Sequence, residues 1–151
     1  MESKQGRREK KNERASKLRR LGLRATPQRL AILAFLEGNR NHPSAEEIYQ
    51  ALKPRFPSLS LATVYSTLEI LERAGEIQIL TIDPERRRFD PDPTPHAHFY
   101  CRLCGRVFDL PPGEPVLEEL PEEIEGFRVE KILLCVYGVC PGCRGRHKEG
   151  T

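Results

Sequence analysis

The 151-residue sequence predicts an α+β fold in two parts, a helical unit closed by a β-hairpin and a smaller α/β unit. Three observations carry this expectation. Three segments with capping residues and helical apolar spacing fill the first half; a β-prone segment broken by a turn follows them; and a proline cluster then precedes short strand-like segments bracketed by paired cysteines.

In the first helix, Thr26 is a good N-cap, Pro27 suits the first helical position, Leu30, Leu33 and Phe35 are apolar positions, and Gly38 ends the helix. Ser44-Ala-Glu-Glu47 is a capping box that opens a second helix through Ile48 and Leu52, closed by Pro54 and Pro57. Ser60 caps a third helix over 61–74, where Leu61, Val64, Leu68 and Leu71 recur at three- and four-residue steps and Gly75 is the stop. Residues 76–82 have strand propensity, 83–85 make a turn and 86–90 return as the partner strand. Three helices plus a hairpin make a winged helix-turn-helix, whose third helix is expected to enter the DNA major groove.

Residues 91–95, with three prolines in five, read as a stiff linker. Beyond it, 98–101 and 106–110 are strand-like, 116–124 is a short acidic helical stretch that Pro121 would break or divide, and 127–136 is a strand. The expected organisation is a flexible basic tail over 1–14, a winged-helix DNA-binding domain over 15–90, the linker, and a dimerisation and metal-binding domain over 96–151. Such a small α/β unit gains from a metal staple and from a second copy.

The net charge of +3 conceals a division: residues 1–20 carry nine basic and three acidic side chains, 21–82 six of each, and 83–151 ten and thirteen. The first end attracts polyanions. Glu118, Glu119, Glu122, Glu123 and Glu125 read as a solvated helix face. The longest unbroken aliphatic or sulfur runs, 132–136 among them, are far below the roughly 20 residues that cross a bilayer, so a soluble, cytoplasmic protein without membrane partners is expected.

Four of the five cysteines form Cys101-x-x-Cys104 and Cys140-x-x-Cys143, two loops that together supply four soft ligands in the tetrahedral arrangement zinc prefers. Two redox dithiols are the alternative. The 35 residues between the pairs exceed a simple zinc ribbon, so folded structure must bring them together. Four ligands leave no open position, which makes the site structural. Cys135 reads as a core thiol on a strand. His96-Ala-His98 places two imidazoles on one face of a strand, and Asp90, Asp109 and His42 are further N/O candidates for a five-coordinate Fe(II), Mn(II) or Zn(II) site.

Arg24-Ala-Thr-Pro-Gln-Arg29, His42-Pro-Ser-Ala-Glu46, Leu61-Ala-Thr-Val-Tyr65, Arg88-Phe-Asp90, His96-Ala-His98 and the cysteine pairs stand in the order and approximate spacing of the ferric uptake regulator family. This resemblance, over about residues 18–145, implies a homodimeric, metal-dependent DNA-binding repressor that is not an enzyme. It implies one structural Zn(II) per subunit on Cys101, Cys104, Cys140 and Cys143, and one regulatory Fe(II) or Mn(II) per subunit on His42, Asp90, His96, His98 and Asp109. The chain resembles the family's peroxide-sensing branch in having aspartate at both 90 and 109, and in placing Ser66 after Tyr65. That likeness implies oxidation of His42 or His96 by peroxide and release from a palindromic, A/T-rich duplex. Tyr65 and Ser66 are candidates for base contacts, Thr63 for phosphate or base, Arg24 for the minor groove and Arg29 for phosphate. An iron, manganese or zinc uptake regulator is the nearest alternative. A zinc deaminase needs His-x-Glu followed by Pro-Cys-x-x-Cys; His96-Ala-His98 supplies no such glutamate, and Pro141 lies inside the cysteine pair.

Overall fold

The computed structural model describes residues 2–111 and 121–147, and in it the chain divides into two compact units. One contains the residues up to Leu80 together with Arg87–Pro93; the other contains Thr81–Arg86 and the residues from Thr94 on. The 91–95 segment is thus shared between them.

The first unit holds α1 (Lys4–Arg20), α2 (Pro27–Leu36), α3 (Ala45–Leu52), α4 (Leu61–Arg73) and an antiparallel pair, β1 (Gln78–Leu80) with β2 (Arg88–Asp90). Each of α2, α3 and α4 starts where its cap predicts. Thr26, Ser44 and Ser60 accept from the backbone N–H three residues on, and Glu47 accepts reciprocally from the Ser44 N–H to complete the box. Gly75, at φ 72°, follows the end of α4 in the left-handed conformation that side chains disfavour. The apolar stripes converge: Ile32, Leu33, Leu36, Ile48, Leu52, Leu59, Val64, Leu68 and Leu71 form one core with Leu18 and Phe89.

Residues 4–14, expected as flexible tail, are instead the start of α1. Ser3 caps the helix by accepting from the Gly6 N–H, Lys17, Arg19 and Arg20 complement its C-terminal dipole, and Leu18 is wholly buried in the core. Arg14 makes a bidentate pair with Glu37, and Lys17 pairs with Glu76 at 3.0 Å. Charge without apolar periodicity concealed a helix anchored at its far end.

The second unit is a three-stranded sheet, ordered β4-β3-β7, with β3 (His98–Cys101) antiparallel to β4 (Val107–Asp109) and parallel to β7 (Cys135–Gly138). A separate hairpin joins β5 (Glu123–Ile124) to β6 (Phe127–Arg128), and α5 (Pro141–His147) comes last. The expected helix over 116–124 is corrected in its described part. Residues 121–122 carry no helix, and Glu123 and Ile124 are strand, because Glu125 and Gly126 both take positive φ, as a two-residue type I′ hairpin turn requires. Residues 116–120 lie outside the described residues, as do Glu118 and Glu119 of the expected acidic face. The single strand expected over 127–136 is two short ones, β6 and β7, separated at 129–134. Among the described residues no helix is long and apolar enough to cross a membrane.

Ile48, 0% exposed within the shared core, is the sharpest test of this packing. Ile48→Ala should lower the unfolding free energy by about 2–5 kcal/mol, read from the urea midpoint of the helical circular dichroism signal.

Candidate metal centres and nucleic-acid surface

In the second unit the hydrogen bond from the Cys101 N–H to the Arg106 carbonyl and the left-handed Gly105, at φ 69°, fold the first cysteine pair into a knuckle between β3 and β4. Cys140 precedes α5 and Cys143 lies within it, and the Cys143 N–H donates to the Cys140 carbonyl. The parallel pairing of β7 with β3, which sets Cys101 opposite Gly138, delivers the second pair to the first. All four sulfurs lie within 4.8 Å of one another, and Cys104 Sγ is 3.9 Å from Cys140 Sγ. Tetrahedral zinc with sulfur at its usual bond length sets sulfurs about 3.8 Å apart, so the quartet fits the ion.

Its acidities agree with that fit. Burial pushes the Cys101 thiol up, yet N–H donors of Cys140, Cys104 and Leu103 outweigh it and bring the group down to about 6. Cys143 is pushed up to about 12, by its hydrogen bond with Cys140 first and by desolvation second. Four thiolates drawn this close would repel one another, and a bound cation would offset that charge. Cys135, on β7, is only half-buried, contrary to the expected core position, and burial still pushes its thiol up.

The N/O ligands predicted for a regulatory metal fall into two sets, one in each unit. In the first unit, His42 Nε2 lies 3.4 Å from Asp90 Oδ2, and both side chains are buried. His42 takes φ 51°, a left-handed conformation that costs a non-glycine residue about 1 kcal/mol. Three successive residues of β2 hold it there. The Arg88 guanidinium donates to the His42 carbonyl at 3.4 Å, the Phe89 N–H donates to the Pro43 carbonyl at 3.0 Å, and Asp90 faces the imidazole. In the second unit, His98 opens β3 and pairs in register with Asp109 of β4. His96 stands two residues before His98, just ahead of β3, where the Leu110 N–H still donates to the Ala97 carbonyl, and the two imidazoles share a side as the sequence expected. They converge because both reach one oxygen, Asp109 Oδ1, at 3.0 Å from His96 Nε2 and 3.3 Å from His98 Nε2. Each set combines imidazole with carboxylate, donors suited to Fe(II), Mn(II) or Zn(II).

On the helix-turn-helix, Ser66 is exposed on α4, its hydroxyl donating to the Thr63 carbonyl. Thr63 is engaged with the cap, its hydroxyl 2.9 Å from that of Ser60. Tyr65 donates to Glu46 Oε1 at 2.5 Å, and that bond chiefly raises its pKa. Arg24 is exposed, whereas Arg29 turns inward and donates to the Arg24 carbonyl at 3.2 Å. Arg29 therefore braces the Arg24 turn, a role the sequence did not suggest. Arg88, Glu46 and Glu47 were also without a predicted part in the site: Arg88 stands in the Arg88-Phe-Asp90 motif, but its partners His42 and Glu47 lie more than 40 residues away.

A winged helix-turn-helix joined to a four-thiolate site and imidazole–carboxylate sets defines a metal-dependent, DNA-binding transcriptional regulator. Residues 20–137 match the Ferric uptake regulator family, and the chain belongs to it. It is 40% identical over 127 residues to the peroxide operon regulator of Bacillus subtilis (strain 168), covering 83% of this chain and 88% of that one. It is 38% identical over 133 residues to the peroxide-responsive repressor PerR of Staphylococcus epidermidis, covering 87% and 89%. The ferric uptake regulator of Francisella tularensis, solved with iron, superposes with a TM-score of 0.64 at 29% identity, over 82% of this chain and 96% of that one.

Cys104→Ser should reduce bound zinc from one ion per chain to almost none, whereas Cys135→Ser should leave it unchanged; elemental analysis after dialysis against a weak chelator reads both.

Proposed function

We propose that the chain is a homodimeric repressor that holds a palindromic, A/T-rich operator while a regulatory metal is bound, and releases it when hydrogen peroxide oxidises His42 or His96. The observation that carries this reading is the pairing of imidazole with aspartate in both units, His42 with Asp90 and His96 and His98 with Asp109. The relatives named for peroxide response support it. One metal ion would take His42, Asp90, His96, His98 and Asp109 as its ligands. Bound Fe(II) would supply the electron that reduces peroxide, chemistry that Mn(II) does not support comparably. Aspartate, shorter than glutamate, would crowd a bound metal less and leave a small oxidant access to it, and a ring that gains oxygen becomes a poorer ligand.

The exposed apolar side chains of the second unit, Phe127 at 74%, Tyr137 at 61% and Ile124 at 51%, support a second copy as the partner there. A two-fold dimer would present two α4 helices, hence a palindrome. Zinc closed by four thiolates offers no position for a substrate, which supports a regulator without catalytic turnover.

Low peroxide should add one oxygen atom to His42 or His96 of the Fe(II)-loaded protein and abolish operator binding, while the Mn(II)-loaded protein stays unmodified and bound. Peptide mass spectrometry beside a gel-shift titration reads this. Unmodified histidines in the iron form with DNA still bound would instead identify an uptake regulator, the second reading, which the likeness to the iron-bound Francisella tularensis protein favours.

Lys4, Arg7, Arg8 and Lys11 line one face of α1, near enough in azimuth to act together on a phosphate backbone. Changing all four to Gln should reduce the salt slope of binding by about 0.9 for every cation that meets a phosphate, leaving the preference for operator over random duplex intact. Loss of that preference would assign sequence reading to α1.

A further inference from the structure

The buried Arg88 side chain joins two parts of the first unit that the proposed function treats separately. Its Nη1 lies 3.4 Å from the His42 carbonyl and 3.6 Å from Glu47 Oε2. That same carboxylate oxygen accepts from the Ser44 N–H at 3.0 Å, and Ser44 caps α3 by accepting from the Glu47 N–H at 3.2 Å. The chain of contacts therefore closes on itself: His42, Arg88, Glu47, Ser44 and back along the backbone to His42. One end is a proposed metal ligand. The other is the first turn of α3, the helix that packs on α4 and whose Glu46 accepts the hydrogen bond of Tyr65.

We propose that Arg88 is a positioning residue that couples regulatory-metal occupancy at His42 and Asp90 to the setting of α3 and α4, through its ion pair with Glu47. This rests on the metal-dependent repressor reading and adds to it a route from ligand to DNA-reading surface. The physical basis is the position of His42. Its left-handed backbone is held from one side by β2 and from the other by the start of α3, so a change in where the imidazole sits is passed to the carbonyl that Arg88 holds. Glu47 carries it onward because its carboxylate serves the guanidinium and the helix cap at once. A buried guanidinium has little freedom to yield, and a short, closed set of bonds transmits a displacement instead of absorbing it.

The test uses the full-length, zinc-loaded protein and a palindromic duplex selected from a random library by its Mn(II)-loaded form. Operator affinity is measured by fluorescence anisotropy with and without Mn(II), and Mn(II) affinity by calorimetry with and without duplex. In Arg88→Met, which keeps an apolar stem of similar length, the Mn(II)-dependent gain in operator affinity should fall about tenfold while Mn(II)-free operator affinity stays within about twofold. By linkage, duplex should no longer raise Mn(II) affinity in this variant. Glu47→Gln, which can still complete the capping box, should show the same loss, and the double variant should be no worse than either single one. Arg88→Lys should recover part of the coupling. The proposal is overturned if Arg88→Met and Glu47→Gln keep the full Mn(II)-dependent gain, or if they lose operator affinity equally with and without the metal, which marks a purely structural role. Should Arg88→Met fail to fold, Glu47→Gln decides by the same criteria. An unsubstituted protein that gains no operator affinity from Mn(II) overturns the repressor reading and this proposal with it, and does so before any variant is compared.

Discussion

The grip of β2 on the segment before α3 is the constraint on which the DNA-binding unit depends. Arg88, Phe89 and Asp90 are consecutive, and each engages the His42-Pro43 corner by a different group: a guanidinium, a backbone N–H and a carboxylate. Phe89 meanwhile packs into the helical core and, through its strand, pairs with Ile79. The wing is thereby fastened to the helix-turn-helix on its apolar side and to the His42-Pro43 corner on its polar side. A strand three residues long contributes little by itself, so these tertiary bonds, more than the ladder, hold β2 in place.

The second unit depends on a different kind of bond. Its buried apolar residues, Ile82, Ala97 and Val107 among the described residues, are few beside the core of the first unit. Two of its most buried side chains are instead the thiols Cys101 and Cys140, which join β3 to the start of α5. With so little surface to withdraw from water, ligation stands in for a hydrophobic core, and zinc binding and folding become one equilibrium. That same sheet presents His98 and Asp109 in register, so the structural site fixes the geometry of the ligands that the second unit would lend to regulation.

Local chemistry was legible in the sequence where a short stretch contains both the signal and its partner. Thr26, Ser44 and Ser60 marked their helices, because a cap and the N–H it serves are three residues apart. The two cysteine pairs announced a quartet because thiol spacing admits few uses. What escaped was non-local. The ion pair of Arg88 with Glu47 spans 41 positions and leaves no periodic trace, and the single carboxylate oxygen on which His96 and His98 converge is brought to them by the cross-strand register of Asp109 with His98. The hairpin turn at Glu125-Gly126 was hidden by an acidic composition that also suits a helix surface, although the glycine was its cue.

The first helix shows why charge alone misleads about order. Nine basic side chains within residues 1–20 repel one another, and a run of that kind is ordinarily left in solvent without fixed structure. Here Leu18 buries completely, and the bonds of Arg14 to Glu37 and Lys17 to Glu76 flank it, so three anchors within five residues hold the last turns against the core. Helix propagation from an anchored end needs no new nucleus, and Ser3 satisfies a free N–H at the other end. The cations further out on α1 are therefore carried on a rod instead of a loose chain. An ordered array loses less conformational entropy on meeting a phosphate backbone than a flexible one, which makes the same formal charge a more effective, though still sequence-blind, contributor to DNA affinity.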